Sequence, residues 1–345
     1  MTNVRSGKVV VITGPRRIEV MEQAVRDPDP QEVLIRTAVS GISAGTEMNV
    51  YRGLAPQWRR RVDPITGLFE AAGTTAFSYP LTYGYANVGV VEEVGAAVSG
   101  LASGDLVFSF SPHQEWSVVD AAQVTRLPAL RAVQHGILVA NVNTALNGVL
   151  DAHPPLEAAV VVSGLGVIGL LATQLLRRTG PSYLAGIDRS AFRRRLAHAF
   201  GASETYPPGA EVARSIRGRT ANRGADILVE VSGAPGALNE AIRIVGRNGL
   251  IVALSWYSGS FEGLDLGGEF HHNRVRIRSS QVDEVNPALG PLWSADRRME
   301  IALRLLGELD LDPLFTHRFA IDEAADAYRC VDELEEGLVQ CVFTY

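Results

Sequence analysis

Up to about residue 125 the apolar positions follow strand spacing. The run Val9–Ile12, a Gly-Pro turn and the segment Ile18–Val20 predict a hairpin, and Val33, Ile35, Thr37 and Val39 alternate with polar neighbours at period two. An antiparallel, barrel-like region is expected there. From about residue 155 the rhythm becomes strand, glycine loop, helix, strand, the signature of βαβ units and a doubly wound parallel sheet. The spacing predicts strands at 160–163, 184–187, 225–231 and 250–254, and helices over 167–178 and 238–245, the latter stopped by Gly246. Ser190 is placed to cap a helix whose apolar face carries Phe192, Leu196 and Phe200. After about 275 come a strand VRIRSSQV, a helix capped by Ser294, a helix starting at Asp322 and a final strand QCVFTY, a tail that extends the sheet or returns to the first region. The boundary between the two regions falls between 125 and 157.

A length of 345 residues makes two domains the prior, and 46% hydrophobic residues exclude long disorder. A net charge of −6 offers no basic footprint for a nucleic-acid backbone. No apolar stretch reaches the roughly 18 residues of a membrane helix, and neither a signal peptide nor a membrane partner is expected. With Cys330 and Cys341 as the only cysteines, neither a disulfide framework nor a four-thiolate zinc site can be built, which suits a reduced, cytoplasmic setting.

Gly164-Leu165-Gly166-Val167-Ile168-Gly169 follows an apolar strand and opens a helix. The first glycine permits the turn, the second lets a pyrophosphate approach the backbone, and the third lets helix and strand pack closely. The free N–H groups of the helix start suit phosphate. Asp188 lies 19 residues past Gly169, at the end of the next strand, where an acid accepts hydrogen bonds from the adenosine ribose. These features together predict a dinucleotide site. Asp188 repels a 2′-phosphate whereas Arg189, Arg193 and Arg194 attract one, so NAD is favoured and NADP stays open. Arg193 to Arg195 read more simply as a solvated helix face.

Further motifs carry a resemblance. Ser40-Gly41-Ile42-Ser43, Gly84-Tyr85-Ala86-Asn87-Val88-Gly89, Gly104-Asp105-Leu106-Val107, Asn143-Thr144-Ala145-Leu146 and the turn Gly246-Arg247-Asn248-Gly249 stand in an order that resembles the medium-chain dehydrogenase/reductase superfamily, the zinc alcohol dehydrogenase relatives. The resemblance covers essentially the whole chain. It implies an α/β protein: a GroES-like β-barrel catalytic domain over 1–125 and 280–345, and a Rossmann domain over 126–279. It further implies a homodimer acting on a small molecule, with Thr144, Ser232, Leu254 and Ser280 joining the glycine loop and Asp188 along the cofactor.

The departures from that pattern concern metal. Ser43 stands where the family has a zinc thiolate, Tyr85 where it has a zinc histidine, and Ala140 at the third ligand position; none is a good zinc ligand. The cysteine-rich lobe of the family has no room before Trp116. Both zinc ions are therefore expected to be absent, and a carbonyl must be polarised by hydrogen-bond donors. Tyr85 is the first candidate for proton donor, equally readable as an aromatic wall against the nicotinamide. Ser43, Thr46 and Glu47 are candidates to orient substrate or pass the proton outward, with Glu47 equally readable as an acid paired within its own domain.

The segment between Tyr51 and Tyr85, with Trp58, Phe69, Phe77, Tyr79 and Tyr83, reads as a lid or as a loop packed on the barrel. His113, His271 and His272 read as structural, and Cys330 as a small core residue. Three functions compete. One is a zinc-independent oxidoreductase acting on a ketone or secondary alcohol of a sugar-like or cyclitol-like substrate, suggested by the polar set Ser43, Thr46, Glu47, Tyr85, Asn87, Asn141 and Asn143. The others are reduction of an activated C=C bond or a quinone, and non-catalytic nucleotide binding.

Overall fold

A computed structural model describes residues 5–55, 60–71, 78–257 and 263–345. The chain divides into two compact units, Met1–Leu138 with Phe315–Tyr345, and Val139–Leu314.

In the first unit the hairpin forms from β1 (Ser6–Gly14) and β2 (Arg17–Ala24), and the alternating stretch becomes the long β3 (Glu32–Ile42). A short helix α1 (Thr46–Tyr51) follows, then a small hairpin of β4 (Arg60–Val62) and β5 (Phe69–Ala71), and β6 (Leu81–Thr82) against β1. β7 (Asn87–Val94), β8 (Leu106–Ser109), β9 (Trp116–Asp120) and β10 (Thr125–Arg126) complete the N-terminal part.

The second unit opens with α2 (Val139–Ala152) and proceeds through β11 (Ala159–Ser163), α3 (Val167–Arg177), β12 (Tyr183–Ile187), α4 (Ala191–Ala199), β13 (Glu204–Tyr206), α5 (Val212–Arg219), β14 (Ala225–Glu230), α6 (Pro235–Ile244), β15 (Val245–Ala253), β16 (Arg276–Ser279) and α7 (Ala295–Leu305). The strands pair in parallel in the order β13-β12-β11-β14-β15-β16. Their near-continuous apolar sequences follow from burial on both faces; Val160, Val161, Leu228 and Ile251 are inaccessible to solvent. Side chains of Ser190 and Ser294 accept the N–H of Arg193 and Arg297 and so cap α4 and α7 as expected.

The chain then returns to the first unit with β17 (Phe315–Ala320), α8 (Ala324–Glu333) and β18 (Gln340–Thr344). The sheet there runs β10-β8-β7-β3-β18-β17, with β9 also pairing β3. α8 covers it with Tyr328, Ala327 and Val331, which join Met48, Ile42 and Phe343 in one buried cluster.

Three expectations about the chain's course are corrected. The return to the first unit begins at Phe315 rather than at 280, because β16 adds to the parallel sheet beside β15 and α7 is anchored within the second unit. Gly246 does not stop a helix. Val245 takes extended geometry straight from α6, so β15 starts there, and a Cβ on Gly246 would lie 2.3 Å from the carbonyl oxygen of Arg223. Close backbone approach is what that position requires. The helix expected to start at Asp322 instead begins at Ala324, after a 3-10 turn over Ile321–Glu323.

Candidate active site

The glycine loop joins β11 to α3 at the point where the strand order reverses, between β11 and its two neighbours β12 and β14. Ligands of doubly wound sheets bind at such a switch point, outside the carboxyl ends of the strands. Gly164 has φ of +93°, and a Cβ there would meet the backbone of Ser232 at 2.6 Å. Gly169 packs tighter still: a Cβ would lie 1.9 Å from the carbonyl oxygen of Gly164. Gly166 differs from both, because a Cβ there meets nothing within 4 Å. The space beyond Gly166 is open, as a phosphate approaching the N-terminus of α3 needs. Leu165 turns inward and is wholly buried, while Val167 and Ile168 begin the helix half-buried.

Asp188 follows β12. Its carboxylate accepts the N–H of Leu165 and that of Ser190, each at 2.8 Å, which ties the acid to the glycine loop. Arg193 is not a solvated residue: only 17% of its side chain is exposed, and its guanidinium lies 4.0 Å from Asp188. Burial also lowers its pKa, the largest influence on that group. Arg194 donates to the carbonyl oxygens of Asp188 and Arg189. Arg189 itself is exposed. The remaining expected cofactor residues gather at the same edge of the sheet: Ser232 after β14, Leu254 after β15 and Ser280 after β16. Thr144 lies half-buried on α2.

This edge has a support that local pattern did not suggest. Arg298 of α7 is 2% exposed and donates to Asn143 at 2.9 Å, to the side chain of Asn147, and to the carbonyl oxygens of Val282 and Glu284. Asn147 in turn donates to the hydroxyl of Ser280 and the carbonyl of Gln281. One guanidinium thus locks α2 to the loop after β16.

In the first unit, Tyr85 donates its phenolic hydrogen to the hydroxyl of Ser43, and Thr46 also hydrogen-bonds the phenol. Burial pushes the Tyr85 phenol above its ordinary value, with the bonds to Ser43 and Thr46 opposing. Two hydroxyls engaged with one another do not fit zinc, which takes thiolate, imidazole or carboxylate, and Ala140 has no donor atom at all.

Glu47 is deeper. It has no exposed surface, and its carboxylate accepts the N–H of Ser43 at 3.0 Å, Nε2–H of His113 at 2.9 Å, and the hydroxyl of Tyr328. The Nδ1 of His113 lies 2.7 Å from the hydroxyl of Ser40, which lies 2.7 Å from that of Tyr345. Burial raises both tyrosines, Tyr328 far above its usual range. Glu47 is therefore the acid of an internal network that pins the backbone of Ser43. His113 takes part in it. Its only sequence signal was a histidine within a strand-rich region, too common to single out.

Other polar groups credited to a substrate-lining set are also internal. Asn87 is wholly buried and donates to Thr37 at 3.0 Å, and Asn143 serves Arg298. Ser43, Thr46, Tyr85 and Asn141 stay partly accessible. Trp58 and Phe77 lie outside the described residues. Tyr79, Leu81 and Tyr83 pack against Ile12, Val50 and Ala55, and Tyr79 donates to the carbonyl of Val50 at 2.8 Å, so this end of the aromatic segment is packed on the barrel; Phe69 is 64% exposed. His271 and His272 are exposed and stack edge to face on each other. Cys330 is buried among core residues.

Comparison with known proteins agrees with this architecture. A family model described as the alcohol dehydrogenase GroES-like domain matches residues 29–129, and one described as zinc-binding dehydrogenase matches residues 167–287. D-guloside 3-dehydrogenase of Escherichia coli (strain K12) is 29% identical over 358 residues, covering 98% of this chain and 100% of that protein. Two solved structures share the fold. A Sinorhizobium meliloti 1021 chain assigned as a zinc-binding dehydrogenase and bound to NADP has a TM-score of 0.80 at 21% identity, covering 99% of this chain and all of its own. Galactitol-1-phosphate dehydrogenase from Escherichia coli has 0.78 at 22%, covering 98% of this chain and all of its own. With one model matched in each unit and relatives aligned from end to end, the chain belongs to the medium-chain dehydrogenase/reductase superfamily, the zinc alcohol dehydrogenase relatives, and is an oxidoreductase.

Proposed function

We propose that the chain is a zinc-independent, NAD(P)-dependent oxidoreductase that moves hydride between nicotinamide and a ketone or secondary alcohol of a polar, sugar-like small molecule. The observation that carries this reading is the Tyr85–Ser43 hydroxyl pair, which stands at two positions where the family has metal ligands. The loop Gly164–Gly169 and Asp188 hold the dinucleotide, with NAD favoured because Asp188 faces the adenosine end with a negative charge. When bound, the cofactor supplies the hydride or accepts it.

Everything else falls to side chains. When substrate binds, the phenolic hydrogen of Tyr85 turns from Ser43 to the substrate oxygen and stabilises charge that develops there, while the Ser43 hydroxyl turns to donate to the phenol. Its raised pKa keeps that proton in place at neutral pH. A substrate alkoxide is a far stronger base than a phenolate, so transfer from Tyr85 is downhill in the direction of ketone reduction. Ser43 and Thr46, both bonded to the phenol, stabilise the phenolate until solvent restores its proton. Glu47 acts at one remove, by fixing the backbone of Ser43.

The sugar-like substrate is supported by the relative named D-guloside 3-dehydrogenase, aligned over 98% of the chain. Reduction of an enone or quinone stays in the comparison, since Glu47, Asn87 and Asn143 are internal and leave fewer polar groups for a polyol. The test is turnover of the chelator-treated enzyme, followed by nicotinamide absorbance, with NAD and NADP against glycosides, polyols, their ketones, enones and quinones. Turnover confined to enones and quinones overturns the substrate class, and activity that returns only with zinc overturns the metal-free chemistry. A cytoplasmic homodimer belongs to the same reading, and sedimentation of the purified chain tests the dimer. Among the described residues no helix is long and apolar enough to cross a membrane.

A further inference from the structure

Three side chains with metal-binding atoms converge in the C-terminal part of the first unit, away from Ser43 and Tyr85 in sequence and unused by the chemistry above. His317 comes from β17, Cys330 from α8, and Glu335 from the turn just after it. One potential ligand atom from each lies within 4.8 Å of the others. We propose that His317, Cys330 and Glu335 form a binding site for one zinc-class divalent ion, with water as the fourth ligand.

The donor set argues for that class of ion. Thiolate, imidazole and carboxylate together suit zinc, whereas calcium and magnesium take oxygen alone. Ligand atoms around tetrahedral zinc stand about 3.5 Å apart, given bond lengths of roughly 2.0–2.3 Å, so binding asks each pair to close by about 1.3 Å at most. Glu335 is exposed and can supply that movement, while Cys330 is held in the core at 6% exposure.

Two features of the surroundings prepare the site. The first concerns the histidine tautomer. The Thr316 hydroxyl has a single hydrogen, lies 3.3 Å from the carbonyl oxygen of Gln340, and accepts the N–H of Val339 at 2.9 Å. With its hydrogen given to Gln340, it can only accept from Nδ1 of His317, 3.0 Å away. That bond places the imidazole proton on Nδ1 and leaves the lone pair of Nε2 for a metal, the arrangement usual for a ligating histidine. The second is the chain reversal. Leu334 adopts φ of 52° and ends α8, and the N–H of Glu335 returns to the carbonyl of Cys330 at 3.2 Å, which folds Glu335 back over the cysteine. Without metal the Cys330 thiol hydrogen-bonds the Glu335 carboxylate. Metal uptake expels one proton: the S–H bond breaks, a metal–sulfur bond forms, and the proton leaves to solvent.

The experiment uses the full-length chain stripped with chelator and titrated with Zn²⁺ alone, then with Co²⁺ alone. One equivalent of zinc should bind, and cobalt should give a thiolate charge-transfer band in the near ultraviolet. Cys330→Ala should abolish the band and weaken zinc at least 100-fold, and His317→Gln, at a partly exposed position, should weaken it at least tenfold, the lower end for supporting residues elsewhere. Tyr85→Phe should leave stoichiometry unchanged. A chain that binds no zinc, a band that survives Cys330→Ala, or one lost only in Cys341→Ser overturns the site. Should Cys330→Ala fail to fold, judged by circular dichroism, His317→Gln decides alone: unchanged zinc affinity refutes the proposal.

Discussion

The carboxylate of Glu47 and the Nε2 of His113 stand 2.9 Å apart, and neither side chain has any exposed surface. A buried acid is tolerated only when its lone pairs are met. Here Ser43, His113 and Tyr328 meet them. Nε2–H of His113 donates to Glu47, Nδ1 accepts from Ser40, and Ser40 accepts from Tyr345. Every polar atom along this path then has a partner of the right kind.

Removing the acid should consequently be severe. Glu47→Ala is expected to cost about 3–5 kcal/mol of folding stability, because the buried donors of His113 and Tyr328 and the N–H of Ser43 lose their acceptor at once. Glu47→Gln should cost about 1–3 kcal/mol, since its NH₂ group must face one of those donors. Urea denaturation of both variants checks the order, and equal losses would contradict the hydrogen-bond account.

Tyr85→Phe should lower ketone reduction by roughly 10²-fold, the scale of one general acid, with cofactor affinity nearly unchanged. Phe keeps the ring, so the substitution isolates the hydroxyl. Because burial raises the phenol above its ordinary value of 10.0, the donor stays loaded through neutral and mildly alkaline pH. Reduction by the wild type should show no alkaline decline assignable to Tyr85 below that value. Near-normal turnover in the variant would make Tyr85 a wall residue and turn attention to Thr46.

The glycines of the loop should separate by substitution. Gly166→Val is expected to fold normally and lose nicotinamide dinucleotide affinity, as the added side chain enters space that is open without ligand. Gly169→Val should fail through folding instead, given the 1.9 Å approach to Gly164. Titration calorimetry beside thermal unfolding distinguishes the two, and unchanged affinity in Gly166→Val would remove the loop from the cofactor site.

Asp188→Ala should shift preference toward NADP on the order of tenfold, by removing a negative charge and leaving Arg189 unopposed. The ratio of kcat/KM for the two cofactors measures this. A wild type that already prefers NADP would mean that the arginines around Asp188 outweigh it.

Arg298→Met should cost about 3–5 kcal/mol, because Asn143, Asn147 and two carbonyl oxygens lose one shared buried donor. Denaturation midpoints check it. A loss below about 1 kcal/mol would show that the loop after β16 holds without the clamp.

What could be read from the chain alone follows from the range of the forces involved. The hairpin of β1 and β2, the caps Ser190 and Ser294, and the loop from Gly164 to Gly169 depend on residues close in sequence, and each was legible as a local pattern. The requirement at Gly246 carries no local signal, because it comes from the carbonyl oxygen of Arg223 in the turn before β14, which approaches the start of β15. Glu47 was visible as an acid near the candidate site, but its role was not.

By itself the sequence determined the succession of elements, the switch from period-two strands to βαβ units, the glycine loop with Asp188 at its proper distance, and the hydroxyls at Ser43 and Tyr85. Tertiary structure decided which polar residues meet. Strand order sets Ser40 between Asn87 on β7 and Phe343 on β18 and brings Tyr345 to its hydroxyl, and it carries Tyr328 across 281 residues to Glu47. The same holds for Arg298 and Asn143, 155 residues apart. Burial makes such pairings obligatory, since an unmatched polar atom in the core costs more than the bond gains, yet only the packed fold specifies which partner satisfies which atom.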